Sequence, residues 1–233
     1  MKAVLIASGG MDSATLAYHY AAKGYELLLV GFDYGQRHRR ELQSLADLAR
    51  SLPGARSRIV PLPIRDLLHG SALTSDDVPV PDGHYAQETM KATVVPNRNA
   101  IMLSIATGIA VAESADLVAT GVHAGDHFIY PDCRPSFFEP FAEAMKAGNE
   151  GFSPEGFHLE APFISWTKAD IAAHGFRLGV PYEITWSCYK GGEIHCGRCG
   201  TCVERIEAFL LAEVPDPTPY EDERFALAEI GRA

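Results

Sequence analysis

The chain of 233 residues predicts an α/β fold: a doubly wound parallel sheet with a small cysteine-rich region near its C-terminus. Three observations predict it. A short apolar run, Val4-Leu5-Ile6-Ala7, ends in Ser8-Gly9-Gly10-Met11-Asp12-Ser13 and leads straight into a helical stretch. Further strand-length apolar runs then alternate with helical stretches, the pattern of parallel strands joined by helical crossovers. Three polar segments, Ser8 to Ser13, Asp33 to His38 and Gly121 to Arg134, directly follow such runs. Ligands of open α/β sheets bind there, outside the carboxyl ends of the strands.

In chain order, Val4 to Ala7 reads as the first strand and Asp12 to Lys23 as the first helix, stopped by Gly24. Glu26 to Phe32 is a buried strand by its continuous apolar character. Arg39 to Ser51 is a helix ended by Pro53-Gly54, and Arg58 to Val60 a short strand. Residues 61–96, rich in proline, glycine and aspartate, read mostly as a long loop, of a size that is usually functional or mobile. Asn97 caps a helix to about Glu113, and Leu117 to Thr120 is the fourth strand. Pro135 to Gly148 is helical and His158 to Phe163 extended. Thr167-Lys168-Ala169-Asp170 is a helix-start box, as is Thr218-Pro219-Tyr220-Glu221 ahead of a last helix to about Ile230. Residues 1–184 form the main domain; residues 185–233 are a metal-binding and helical region packed on it.

Composition bounds the function. The chain is 47% hydrophobic and 21% charged, with a net charge of −10. Acidity argues against a broad nucleic-acid surface. The first apolar run is too short for a signal peptide, and no apolar stretch approaches the length that spans a bilayer. A cytoplasmic protein with no membrane partner is expected.

The first polar segment has the chemistry of a phosphate cradle. A helix N-terminus offers unpaired N–H groups and a positive dipole end. Gly9 and Gly10 let a phosphate approach the backbone, Ser8 and Ser13 add hydroxyls, and Asp12 offers a carboxylate to Mg²⁺. The GxxxxGK[ST] pattern of ordinary P-loops is absent. A tight capped turn without a ligand is the bland alternative.

Cys188, Cys196, Cys199 and Cys202 follow a C-x7-C-x2-C-x2-C spacing. Two-residue gaps with glycines turn successive thiolates back onto one ion, and four sulfurs with no open position make a structural Zn²⁺ site. An iron–sulfur cluster is the rival, and His195 reads as a bystander. Cys133, beside Asp132 and Arg134, reads as a small buried residue, with a direct ligand role and a nucleophile role as the alternatives.

The segment Ser8 to Ser13 resembles the SGGxDS signature of the N-type ATP pyrophosphatases, or PP-loop enzymes. Phe32-Asp33-Tyr34-Gly35-Gln36-Arg37-His38, Val95-Pro96-Asn97-Arg98-Asn99, Tyr130-Pro131-Asp132-Cys133-Arg134, Thr185-Trp186-Ser187-Cys188-Tyr189 and the cysteine knuckle follow in order. Together, from Val4 to about Phe209, they resemble the 7-cyano-7-deazaguanine synthase family of that superfamily. The resemblance implies an adenine-nucleotide α-hydrolase-like fold and a reaction of 7-carboxy-7-deazaguanine, ammonia and ATP that yields the nitrile. It implies small-molecule partners and a homodimer.

The resemblance also implies roles. ATP, with Mg²⁺, is expected along Ala7, Ser8, Gly9, Gly10, Met11, Asp12, Ser13, Ala14, Thr15, Leu16 and Ala17. Asp12, Ser13, Arg98 and Lys168 are the expected catalytic set. Gln36, Arg37, His38, Asp126, Asp132, Cys133 and Arg134 are the expected substrate contacts: an Asp suits the N–H-rich edge of a guanine-like base, an Arg a carboxylate. His123 stands where asparagine is frequent, as an ammonia-handling base or a structural histidine. Rival readings are a tRNA-thiolating or lysidine-forming PP-loop enzyme, an NAD or GMP synthetase lacking its glutaminase, and a zinc-ribbon binding module.

Overall fold

The computed structural model describes residues 1–84 and 88–232. Tyr85, Ala86 and Gln87 of the expected 61–96 loop lie outside the described residues. Five strands, β1 (Lys2–Ile6), β2 (Glu26–Asp33), β3 (Arg56–Pro61), β4 (Leu117–Ala119) and β5 (His158–Glu160), form one sheet in the order β3-β2-β1-β4-β5. Every pairing is parallel. The chain winds outward from β1 to β3, then returns to the other side of β1 for β4 and β5. The switch point therefore lies between β1 and β4, where a ligand crevice is expected.

Period-two alternation sorts β1 onto two layers. Ala3, Leu5 and Ala7 face a core built with α1 (Met11–Ala22), α2 (Arg40–Ser51) and α6 (Lys168–Leu178). Val4 faces the opposite core, with α4 (Arg98–Ala112) and α5 (Pro135–Ala147). The remaining helices are a single turn α3 (Ile64–Leu67), then α7 (Gly200–Leu211) and α8 (Glu223–Ile230). The 61–96 segment is less irregular than its composition suggests, carrying α3 and a 3-10 turn at Glu88–Thr93.

Helix starts differ from the sequence reading in two places. Asn97 sits at the N-cap of α4, but in the left-handed region (φ 59°) and with no side-chain cap bond. The last helix does not start at Thr218. Tyr220 bridges to His195 instead, the Thr218 hydroxyl finds no partner, and Asp222 caps α8 by accepting from Phe225 N–H. A competing backbone pairing overrides the local box. The Thr167–Asp170 box of α6 forms as the spacing predicts. The stretch Met90–Ala112 is long and apolar enough, by length and composition alone, to cross a membrane (mean hydropathy 1.2), against the expectation that no run reaches that length. Its Met102, Leu103, Ala106 and Ala110 are buried in the core beneath the sheet.

Candidate active site

The turn from β1 to α1 is tight for a reason of packing. Gly9 has φ +86°, and a Cβ there would stand 2.4 Å from the Glu41 carbonyl and 2.6 Å from Leu45 N of α2. Only glycine fits so close an approach in that conformation. The hydroxyls fold inward: Ser13 Oγ accepts from Gly9 N–H at 3.1 Å and donates to the Gly10 carbonyl, while Ser8 Oγ accepts from Gly10 N–H at 3.2 Å. The first intrahelical bond runs from Ala14 N–H to the Gly10 carbonyl. The preceding N–H groups of Met11, Asp12 and Ser13 form the donor end of the helix.

A cleft of about 940 Å³, its mouth included, opens over this end at the switch point. At one side the groups are charged. Asp12 Oδ2 lies 3.2 Å from Lys168 Nζ, and Lys168 bonds Glu204 Oε2 at 2.6 Å. Burial works against the lysine's charge, but Asp12 and Glu204 outweigh it and hold its pKa above the usual value. Burial raises the Glu204 carboxyl, against the pull of Lys168. His123 is 1% exposed. Its Nδ1 accepts from Gly125 N–H, which leaves the ring proton on Nε2, 3.6 Å from Asp126 Oδ2 and 3.9 Å from Asp12 Oδ2. Asp12 Oδ1 is buried without a hydrogen-bond partner. An orphaned carboxylate oxygen beside the helix N-terminus is a donor that would suit a hard cation.

At the other side the groups are rings around a guanidinium. Arg98, at the start of α4, donates to Tyr34 Oη at 3.3 Å and stands 5.9 and 5.8 Å from the Tyr34 and Tyr130 ring centres. Tyr189 and Cys133 complete the wall. Burial pushes the Tyr34 phenol up to about 12 and the Cys133 thiol well up. Cys133 is thus a neutral wall residue with Asn99 Nδ2 against its sulfur at 3.2 Å, poorly suited to nucleophilic attack. His38 lines the floor, its Nε2 3.4 Å from Glu41 Oε2 and its ring over Tyr189.

The cleft brings together Ala7, Ser8, Asp12, Ser13, His38, Arg98, Asp126 and Cys133 of the expected residues, with Lys168 touching Asp12. Others stand elsewhere. Gln36 is spent locally: it accepts from Tyr34 N–H and donates to the Phe32 carbonyl and Glu41. Arg37 donates to the carbonyls of Ser75 and Val78, fastening the long loop. Asp132 caps α4 by accepting from Asn99 N–H and Nδ2. Arg134 is exposed and donates to the His127 carbonyl. Met11, Ala14, Leu16 and Ala17 are buried in the core face of α1, and Thr15 bonds Tyr182. Sequence reasoning missed Tyr34, Tyr130 and Tyr189 as walls, although all three lie inside the segments that carried the family resemblance. It missed Glu204 altogether.

Beside the cleft, Cys188, Cys196, Cys199 and Cys202 are buried, with their sulfurs all within 4.8 Å of one another. No cysteine forms a disulfide. Cys196 Sγ accepts from the N–H groups of Arg198 and Cys199 at 3.4 and 3.3 Å, bonds that favour a thiolate. The donor set fits one tetrahedral soft-ligand ion. His195 stays outside it, its ring tilted against Trp186 and its Nε2 accepting from Ser187 N–H.

Among known proteins, the family described as "Queuosine biosynthesis protein QueC" matches residues 2–213. The chain is 57% identical over 232 residues to the 7-cyano-7-deazaguanine synthase of Rhizobium johnstonii, covering 100% of this chain and 97% of that protein. With the same-named protein of Brucella ovis it is 56% identical over 226 residues, 97% and 96% of the two chains. A 4-thiouridine synthetase solved as an RNA complex with bound ATP aligns over 99% of this chain and 50% of its own, at 18% identity and a TM-score of 0.52. That likeness is one of fold alone.

Proposed function

The chain belongs to the QueC family of queuosine biosynthesis proteins, and from that premise we propose that it is an ATP-dependent ligase converting 7-carboxy-7-deazaguanine and ammonia to 7-cyano-7-deazaguanine. The observation that carries the reading is one cleft in which the donor end of α1, with Asp12 and Lys168, faces a ring-lined wall holding Arg98. A nucleotide's phosphates suit the first side and a flat carboxylated heterocycle the second.

The chemistry requires both sides. A carboxylate cannot expel oxide, so one of its oxygens attacks the α phosphorus of ATP and pyrophosphate leaves. The nitrogen lone pair of ammonia then attacks the activated carbon, and AMP departs with the oxygen, leaving an amide after proton loss. The amide oxygen is activated by a second ATP in the same way. Expulsion of AMP with loss of the remaining N–H protons gives the nitrile. The α1 N–H groups and Lys168 offset the charge that gathers on the departing phosphates. Arg98 and the tyrosine rings hold the heterocycle so that its oxygen meets phosphorus in line. Mg²⁺, held through the Asp12 carboxylate, supplies further charge neutralisation when bound.

Zinc in the cysteine knot, a structural knot region at 185–233 on the 1–184 domain, work in the cytoplasm and a homodimer belong to the same reading. Free cysteines suit a reducing compartment, and the charge of −10 suits small-molecule substrates over RNA. The test is mass spectrometry of the products formed by metal-loaded protein from ATP, Mg²⁺, ammonium and 7-carboxy-7-deazaguanine. ATP-dependent appearance of the nitrile is expected; intact, metal-loaded protein that makes none would overturn the reading.

A further inference from the structure

Two lines of contact leave the cysteine knot, and both end in the phosphate loop. On one, Trp186, two residues before Cys188, donates its backbone N–H to the Gly9 carbonyl at 2.9 Å. On the other, α7 carries Cys202 in its first turn and Glu204 just beyond it. Glu204 is 7% exposed and accepts from Lys168 Nζ at 2.6 Å, while that ammonium stands 3.2 Å from Asp12 Oδ2. The two lines are tied to each other by Arg205, which is fully buried. Its Nη1 donates to Thr185 Oγ1 at 2.6 Å and its Nη2 to the Tyr182 carbonyl at 3.2 Å. Ligation at Cys199, the N-cap of α7, and at Cys202 therefore fixes both the axial position and the rotation of the helix that presents Glu204.

We infer that Glu204 is a positioning residue: the metal-bound knot holds Glu204, and Glu204 holds Lys168 at the phosphate loop. The inference rests on the reading of the cleft as the nucleotide site. Without Glu204 the lysine would be left to Asp12, whose side chain is 26% exposed against 9% for Glu204, and to the charge of Asp126. Set between two carboxylates, with the shorter bond to the buried one, it stays in reach of charge that develops on the phosphates while leaving Asp12 oxygen for a cation. The knot then does more than staple the fold, because its occupancy sets where Lys168 sits.

The test uses the full chain loaded with metal, as wild type, Glu204→Ala and the isosteric Glu204→Gln. Lys168 acylation by acetic anhydride is followed by peptide mass spectrometry, next to bound metal, kcat and the KM for ATP. Both variants are expected to keep their metal and to label Lys168 several-fold faster than wild type. Wild type stripped by a chelator should label faster as well. In Glu204→Ala, kcat should fall about 10²-fold, the scale of a misplaced catalytic group, with the KM for ATP little changed. Glu204→Gln, which keeps an acceptor at the same place, should recover part of that loss. Lys168 labelling at the wild-type rate in both variants, or an unchanged kcat, overturns the inference. Should Glu204→Ala fail to fold, the labelling rate of Glu204→Gln alone decides. Labelling needs no substrate, so faster labelling in an enzyme that makes no nitrile would sink the ligase reading and leave the positioning role standing.

Discussion

At one end of the cleft, Asp12, Asp126 and Glu204 surround Lys168 and His123; at the other, Tyr34, Tyr130 and Tyr189 surround Arg98. The ends also differ in who supplies them. The charged end draws on α1, α6, α7 and the turn after β4, so four separate elements must agree on its geometry. The ring end draws on the segments after β2 and β4, the start of α4 and the residue after Cys188. A dense charge cluster in a half-closed cleft is expensive unless charges are paired and oriented. Under the proposed function it marks the place where charge changes during reaction. The rings hold shape and exclude water, and their single guanidinium gives one directional contact. The same proposal separates chemistry and recognition along one cleft, so substitutions at the two ends should fail in different kinetic terms.

The largest effect is expected at the charged end. Asp12→Ala should lower kcat by about 10³-fold, the upper range for removing one oriented charge-stabilising group, and leave the heterocycle's KM near its original value. Nitrile formation read by mass spectrometry at saturating substrate checks it. A rise in the heterocycle's KM with kcat intact would erase the proposed division.

The ring end should answer in the opposite term. Arg98→Ala removes a charged hydrogen-bond donor worth about 1.5–3 kcal/mol, so the KM for the carboxylated substrate should rise about 10- to 100-fold while the KM for ATP moves little. Steady-state kinetics with each substrate varied in turn separates the two. Tyr34→Phe removes only the phenol that Arg98 donates to and keeps the ring. A loss of about 1 kcal/mol, or roughly fivefold in the same KM, is expected.

How far this was legible follows from how each part is encoded. The turn from β1 to α1 is contiguous, so the place of Ser8, Asp12 and Ser13 in the cleft was readable from one hexapeptide. The knot was readable from its spacing, because x2 gaps force neighbouring thiolates together. The parallel, doubly wound sheet was readable from strands alternating with helices; its order β3-β2-β1-β4-β5 was not. Side-chain direction was not encoded in the same way. Gln36, Arg37, Asp132 and Arg134 lie in the right segments, but none lines the cleft. Each bonds other groups of the chain, and the partners of Arg37 and Asp132 are distant in sequence, which adjacency does not reveal. Glu204 was invisible for a different reason. A glutamate in an amphipathic helix reads as a solvated face, and only the packing of α7 on α6 buries it against Lys168. Thr218 shows the converse: a good local box lost to the pairing of Tyr220 with His195.

A residue that touches neither end sets the floor of the comparison. His19 is on α1 itself, toward the far end of the helix from Asp12, with its Nδ1 3.1 Å from His174 Nε2 on α6. His19→Gln should leave kcat and both KM values unchanged, so any kinetic effect would show that the division between the ends depends on how α1 packs on α6. Its effect belongs to stability. Burial, with Lys23 and His174 adding to it, lowers the His19 pKa from 6.5 to about 4. Between those values the unfolded chain binds a proton there and the native chain does not, so stability falls as pH drops through the window and levels off below about 4. Urea unfolding at pH 7 and pH 5 should show a smaller loss on acidification for His19→Gln than for wild type. The cysteine knot is common to both proteins, so its own acid sensitivity cancels in that difference. An identical loss in the two would place the proton uptake elsewhere and remove His19 from the account of how α1 is held.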